Sequence, residues 1–128
     1  MSSPNVSKPA LITGWVLSIL PVLALLLSAA MKLTRNPAAV QGFEKFGYAE
    51  RMLLTLGIVE ASCAILYLIP RTAVLGAILV TGYLGGAVAT HARVGDPAFI
   101  TPALLGVIAW HGLFLRDRRV RALIPLRR

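Results

Sequence analysis

The chain has 128 residues, 57% hydrophobic and only 14% charged, with a mean hydropathy of +0.77. Soluble domains carry about 25% charged residues, so this composition excludes a disordered segment and argues against an ordinary soluble domain. Thirteen Lys and Arg against five Asp and Glu give a net charge of +8, and anionic lipid headgroups, rather than nucleic acid, are the expected counter-surface.

The apolar residues fall in long runs, at residues 11–31, 52–69, 72–90 and 97–115. Crossing a bilayer as a helix takes about 17–25 residues. The expectation is an all-α, four-transmembrane-helix bundle of up-down order, forming one domain over residues 1–128. Lys8 and the small residues Ser28, Ala29 and Ala30 bracket the first run as in a secretory signal, but the run exceeds the ~7–15 apolar residues of such a signal and is read as a retained helix.

The first span places Gly14, Ser18, Pro21, Leu25, Ser28 and Lys32 at alternating spacings of four and three. That spacing makes a small and polar seam on one face, leading up to a lysine. Next comes "RNPAAVQGFEKFGYAE", where Asn36 before Pro37 has the form of a helix cap. Val40, Phe43 and Phe46 then share a side, predicting a short interfacial helix between the first and second spans, placed to cover the bundle.

The second span contains Cys63, a lone thiol read as a small buried side chain, and Glu60 near its middle, about 13 Å from the outer end. A charge at that depth costs at least about 2.5–3.5 kcal/mol, so Glu60 is either protonated and hydrogen-bonded or ionised and paired. Lys32, Arg35, His91 and Arg93 are the available bases, and Tyr83, at nearly the same depth, is the expected hydroxyl partner. The turn at Pro70 and Arg71 makes the second and third spans antiparallel neighbours.

The third span carries Gly82 and Gly86 at GxxxG spacing, read as close packing within the chain or as a homodimer face. "THARVGDP" follows, in which Asp96 before Pro97 caps the fourth span. His91 and His111 differ in depth by about 20 Å and cannot share one haem; no metal-ligand spacing occurs. The tail "LRDRRVRALIPLRR" concentrates arginine, so the positive-inside rule puts both termini in the cytoplasm.

"SAAMKL", "LGIVEASCAILYLIPRTAVLGAILVTGYLGGAVATHARVGDP" and "LRDRRVRALIP" resemble the DoxX-like family of small four-helix bacterial membrane proteins, over residues 14–125. The resemblance implies a four-helix bundle in the bacterial inner membrane. It also brings an association with quinone chemistry, because the family's name comes from relatives associated with a thiosulfate:quinone oxidoreductase. Lys32, Glu60 and His91 match the recurrent polar positions of the family.

Together these readings give the expectation of a small hydrophobic ligand, a quinone or other lipid-soluble substrate, in an outer-half pocket. Glu60 is the acid/base, Lys32 and Tyr83 polarise an oxygen, Ser28 lies on the seam, and His91 and Arg93 line the entrance. A quinone-linked oxidoreductase component and a proton-transfer isomerase are the enzyme readings. The alternative is a non-enzymatic accessory or assembly subunit of a membrane complex, with Glu60 a structural staple and the glycine pair docking a partner subunit. A transporter is weaker, because one buried acid among four helices lines no pathway.

Overall fold

The computed structural model of the chain describes residues 6–127, and among these every regular element is helical. Helix α1 (Lys8–Leu33) starts three residues before the apolar run does, because Ser7 Oγ accepts from the Ala10 amide at 3.3 Å and Pro9 sits in the first turn. It continues unbroken through the buried Pro21.

Helix α2 (Pro37–Phe46) is capped as its sequence predicts, with Asn36 Oδ1 accepting from the Ala38 amide at 3.0 Å. It ends at Gly47 in the left-handed region (φ 81°), where Tyr48 N–H donates to Phe43 O at 2.8 Å. No residue of α2 is fully buried, as suits an element lying across the end of the other helices.

Helix α3 (Met52–Leu68) passes through a 3-10 turn at Pro70–Thr72 into α4 (Ala73–Arg93). A second 3-10 turn at Pro97–Phe99 opens α5 (Ile100–Arg116), and the one-turn α6 (Arg118–Arg121) follows. The stretches Lys8–Leu33, Pro70–Arg93 and Pro97–Arg116 are long and apolar enough to cross a bilayer, while α3, at 17 residues, is a shorter apolar helix. Only 28%, 28% and 22% of those three spans is buried within the protein. Leu20, Leu27, Leu75 and Leu104 are among the large side chains left on the outside. In water that would be an aggregation surface; it is the surface that hydrocarbon demands.

α1 packs on α3 and α5, and α4 packs on the same two. Glycines set three of the contacts. At the α1–α5 crossing a Cβ on Gly112 would lie 2.6 Å from Ser18 Oγ and 2.9 Å from Gly14 O. At the α3–α4 contact a Cβ on Gly76 would run into the Tyr67 backbone, and at the α1–α3 contact one on Gly57 would lie 2.9 Å from Leu33 Cδ2. At Gly112 and Gly76 the backbones approach closely, which is how helices associate in lipid, and at Gly57 the Leu33 side chain seats against the α3 backbone.

The same packing corrects one expectation. Gly82 and Gly86 make no close contact within the chain, since a Cβ on either would meet nothing within 4 Å. α4 buries Gly76, Ala77, Val80 and Leu84 instead, and residues two positions away point to another side of a helix.

Arg116, read as part of the surface tail, is only 4% exposed. Its Nε donates to Ser18 Oγ at 2.8 Å and its Nη2 to Tyr67 O at 3.1 Å. The guanidinium carbon lies 4.2 Å from the Trp15 ring centroid and 5.0 Å from that of Tyr67. Ser18 donates to Gly14 O at 2.7 Å, and the Tyr67 hydroxyl, 3.0 Å from Ser18 Oγ, reaches Ala109 O at 2.5 Å. A delocalised cation sandwiched by aromatic faces and hydrogen bonds can be buried where an ammonium could not.

These contacts separate the glycines by consequence. Gly76→Ala is expected to lower the thermal midpoint in detergent, by overpacking worth about 1–3 kcal/mol. Gly86→Ala should be neutral or slightly stabilising, because its Cβ fills open space and alanine favours helix by up to about 1 kcal/mol.

Candidate functional site

The polar centre of the structure lies where α1 ends against α3. Because Gly57 has no side chain, the last turn of α1 crosses α3 directly above Glu60, with Lys32 Cβ 3.2 Å from where a Gly57 Cβ would stand. Lys32 Nζ then reaches Glu60 Oε1 at 2.9 Å and Ser28 Oγ at 2.6 Å. The Glu60 side chain is 3% exposed and that of Lys32 is 14%. The sequence left Glu60 either protonated or paired, and the geometry is that of a pair. Tyr83, on α4, stands beside Glu60, with Lys32 Nζ 6.0 Å from its ring centroid.

Lys32, but not Glu60 behind it, lines a cavity of about 630 Å³ bounded mainly by α1, α2 and α4, with Leu56 of α3. Leu27, Ser28, Met31 and Lys32 supply the α1 wall; Gly82, Tyr83, Gly86 and His91 supply the α4 wall. α2 closes the outer side through Ala38, Ala39, Gly42, Phe43 and Phe46. The glycine pair of α4 therefore makes room for the cavity. Leu27, 66% exposed, marks where the cavity meets the outer, lipid-facing surface of the helices.

Ser28 has a hydroxyl proton to spare. Ser18, Thr34, Thr81 and Thr90 each donate to the carbonyl four residues earlier, whereas Ser28 accepts from Lys32, and among the described residues no protein oxygen takes its proton. A hydroxyl that accepts from an ammonium is a better donor in turn. The His91 ring, 4.7 Å from that of Phe46 between centroids, has Nδ1 2.8 Å from Ala87 O. In the neutral ring Nδ1–H donates there and Nε2 is an acceptor.

Arg93, expected at the entrance with His91, is not part of the cavity lining. Its exposed guanidinium donates instead to the Phe46 carbonyl, at the end of α2. Lys45 and Asp96 pair at 3.3 Å and Tyr48 and Thr90 hydroxyls at 2.6 Å, so α2 is fastened to the C-terminal end of α4. Among the described residues no three His, Cys, Asp or Glu side chains gather as a metal site would require.

The chain matches the model of the DoxX-like family over residues 16–112, about three quarters of its length. It belongs to the DoxX-like family. No match is found among the curated proteins or among the solved structures. Family and apolar helices together fit an integral membrane protein. In this DoxX-like chain the matched stretch contains Ser28, Lys32, Glu60, Tyr83 and His91, while Arg116 and the arginine-rich tail lie beyond it.

Two outcomes follow from this geometry. Removing one member of a buried pair strands the other, so Lys32→Met or Glu60→Gln alone is expected to cost about 3–5 kcal/mol of stability. The double variant should cost clearly less than the sum, as a double-mutant cycle on thermal midpoints will read. At the α2 tether, the Ala98 amide and then the Lys45 ammonium hold the Asp96 carboxyl below its usual value. A depressed carboxylate stabilises the fold above its unfolded pKa of about 3.9 and loses that contribution as pH falls through the folded value. Hydrogen exchange of α2 amides, corrected for intrinsic rates, should hold steady down to about pH 5 and quicken below about 4. Asp96→Asn should abolish that step.

Proposed function

We propose that this protein binds a small, mostly apolar molecule bearing a carbonyl-like oxygen, a quinone or similar lipid-soluble substrate, between α1 and α4. The observation that carries the reading is that the buried Glu60 has its ion-pair partner, Lys32, on the wall of a mostly apolar cavity. Such a cavity, with few convergent polar groups, is the usual form of a small-molecule site.

The residues fit that ligand class in a definite way. An oxygen at the polar end accepts from Ser28 Oγ and from Lys32, while the apolar body lies along Gly82, Gly86 and Leu27. Glu60 is the acid/base that exchanges a proton through Lys32. Passing the proton from Lys32 to Glu60 turns an ion pair into a neutral pair with no change in net charge, so the exchange places no new charge in a low-dielectric site. Tyr83 supplies a second hydroxyl beside the carboxylate, and His91 lines the outer end. A quinone, where it is the ligand, brings its own electron chemistry.

In this reading the four apolar helices form an up-down bundle in the bacterial inner membrane, with both termini cytoplasmic. The arginine-rich tail supports that orientation. A ligand reaches the cavity sideways from the bilayer, past Leu27.

A second reading has one observation in its favour: the open glycine face of α4 could take a helix of a partner subunit, with Glu60 only a staple. Mass spectrometry of the organic extract from gently purified protein separates the two. Wild type is expected to carry about one apolar molecule per chain, lost in Glu60→Gln and in Gly86→Leu. Ser28→Ala should weaken its binding about tenfold, the effect of losing one hydrogen bond. Bulk phospholipid alone in every sample, with Gly86→Leu breaking a larger complex, would favour the accessory subunit and overturn the ligand reading.

A further inference from the structure

A second cavity of about 630 Å³ lies on the opposite face of α4, between α4 and α5. Its walls include Gly85, Val88, Pro102, Gly106 and Phe114, and Ile124 and Pro125 of the C-terminal segment fold against one end. From Pro102 to Phe114 it runs about 18 Å along α5, roughly one leaflet of a hydrocarbon core about 30 Å thick. It is an apolar groove one leaflet long.

Its C-terminal end is cationic. The Arg121 guanidinium carbon lies 5.7 Å from the ring centroid of Phe114, itself a wall of the groove. Arg121 Nε donates to Phe114 O at 2.8 Å and Nη2 to Leu115 O at 2.6 Å, which holds the cation beside the Phe114 wall and leaves Nη1 for another acceptor. Arg118 is exposed nearby in sequence, and Arg127 follows the two tail residues that touch the groove. Leu123 and Leu126, 59% and 77% exposed, are interspersed with these arginines. Apolar side chains presented beside arginines suit the boundary between headgroups and acyl chains.

We propose that this groove is a binding site for one anionic phospholipid, with an acyl chain along Gly85 and Gly106 and the phosphate on Arg121. Charge complementarity chooses the occupant. A phosphodiester with no compensating positive group satisfies the guanidinium, whereas a zwitterionic headgroup brings its own cation to the same place. The site is separate from the cavity at Lys32 and Glu60 and does not rest on the function proposed for it.

The test is native mass spectrometry of the purified protein with phosphatidylglycerol or phosphatidylcholine of identical acyl chains. Wild type is expected to retain one phosphatidylglycerol per chain in preference to phosphatidylcholine, and Arg121→Gln to reduce that preference about fivefold. Gly85→Leu and Gly106→Leu should reduce retention of either lipid by filling the groove. Both sites accept a Cβ, with nothing within 4 Å of the first and Leu84 Cδ1 at 3.8 Å from the second. Gly86→Leu, on the other face, should leave lipid retention unchanged. Equal retention of the two lipids by wild type would overturn the proposal. So would unchanged retention in correctly folded Gly85→Leu and Gly106→Leu, or a dimer that excludes lipid from the groove.

Discussion

The structure depends on an ion pair placed where ions are costly. Glu60 is almost wholly buried in an apolar helix, made tolerable chiefly by Lys32, with Tyr83 beside it. The pairing in turn needs α1 to end level with the middle of α3, which needs Gly57 at the crossing. Ser28, one turn back on α1, then falls within reach of the same ammonium. Position, charge state and hydrogen bonding at the polar end of the cavity all follow from that one constraint.

Glycine serves two opposed purposes. Gly14, Gly76 and Gly112 let backbones touch and Gly57 receives the Leu33 side chain, whereas Gly82 and Gly86 are left facing space. Absent side chains thus build the contacts that hold α1, α3, α4 and α5 together and also open the volume between α1 and α4. The first kind cannot gain a methyl group without a clash; the second can, at the expense of the cavity.

Much of this was legible in the chain itself. Helix starts at Asn36 and Asp96 follow from short polar side chains set before proline. The seam from Gly14 to Lys32 follows from its spacing, and Glu60 stands out through the cost of burial. Other features depend on what lies opposite, which spacing does not encode. A GxxxG pair shows that a surface is flat and says nothing of whether a neighbour lies on it, so the spacing of Gly82 and Gly86 does not distinguish packing within the chain from an open face. Arg116 looks like one more arginine of a basic tail. Only its place opposite Ser18, Trp15 and Tyr67, brought close by Gly14 and Gly112, buries it inside the protein. Arg93 sits two residues from His91, but on a helix that spacing turns it away, and its guanidinium goes to the end of α2.

Ser18 and Lys32 carry a consequence for motion. They are polar anchors on one face of α1, about 21 Å apart along its axis, and each is bonded to a different part of the structure: Ser18 to Arg116 on α5, Lys32 to Glu60 on α3. A shaft keyed at two points cannot turn. Rotating α1 would break both bonds and carry a cation towards hydrocarbon, at a cost of at least about 2.5–3.5 kcal/mol. The α1 wall of the cavity is therefore stiff, and compliance belongs to α2, whose ties to α4 are made at its solvent-facing end.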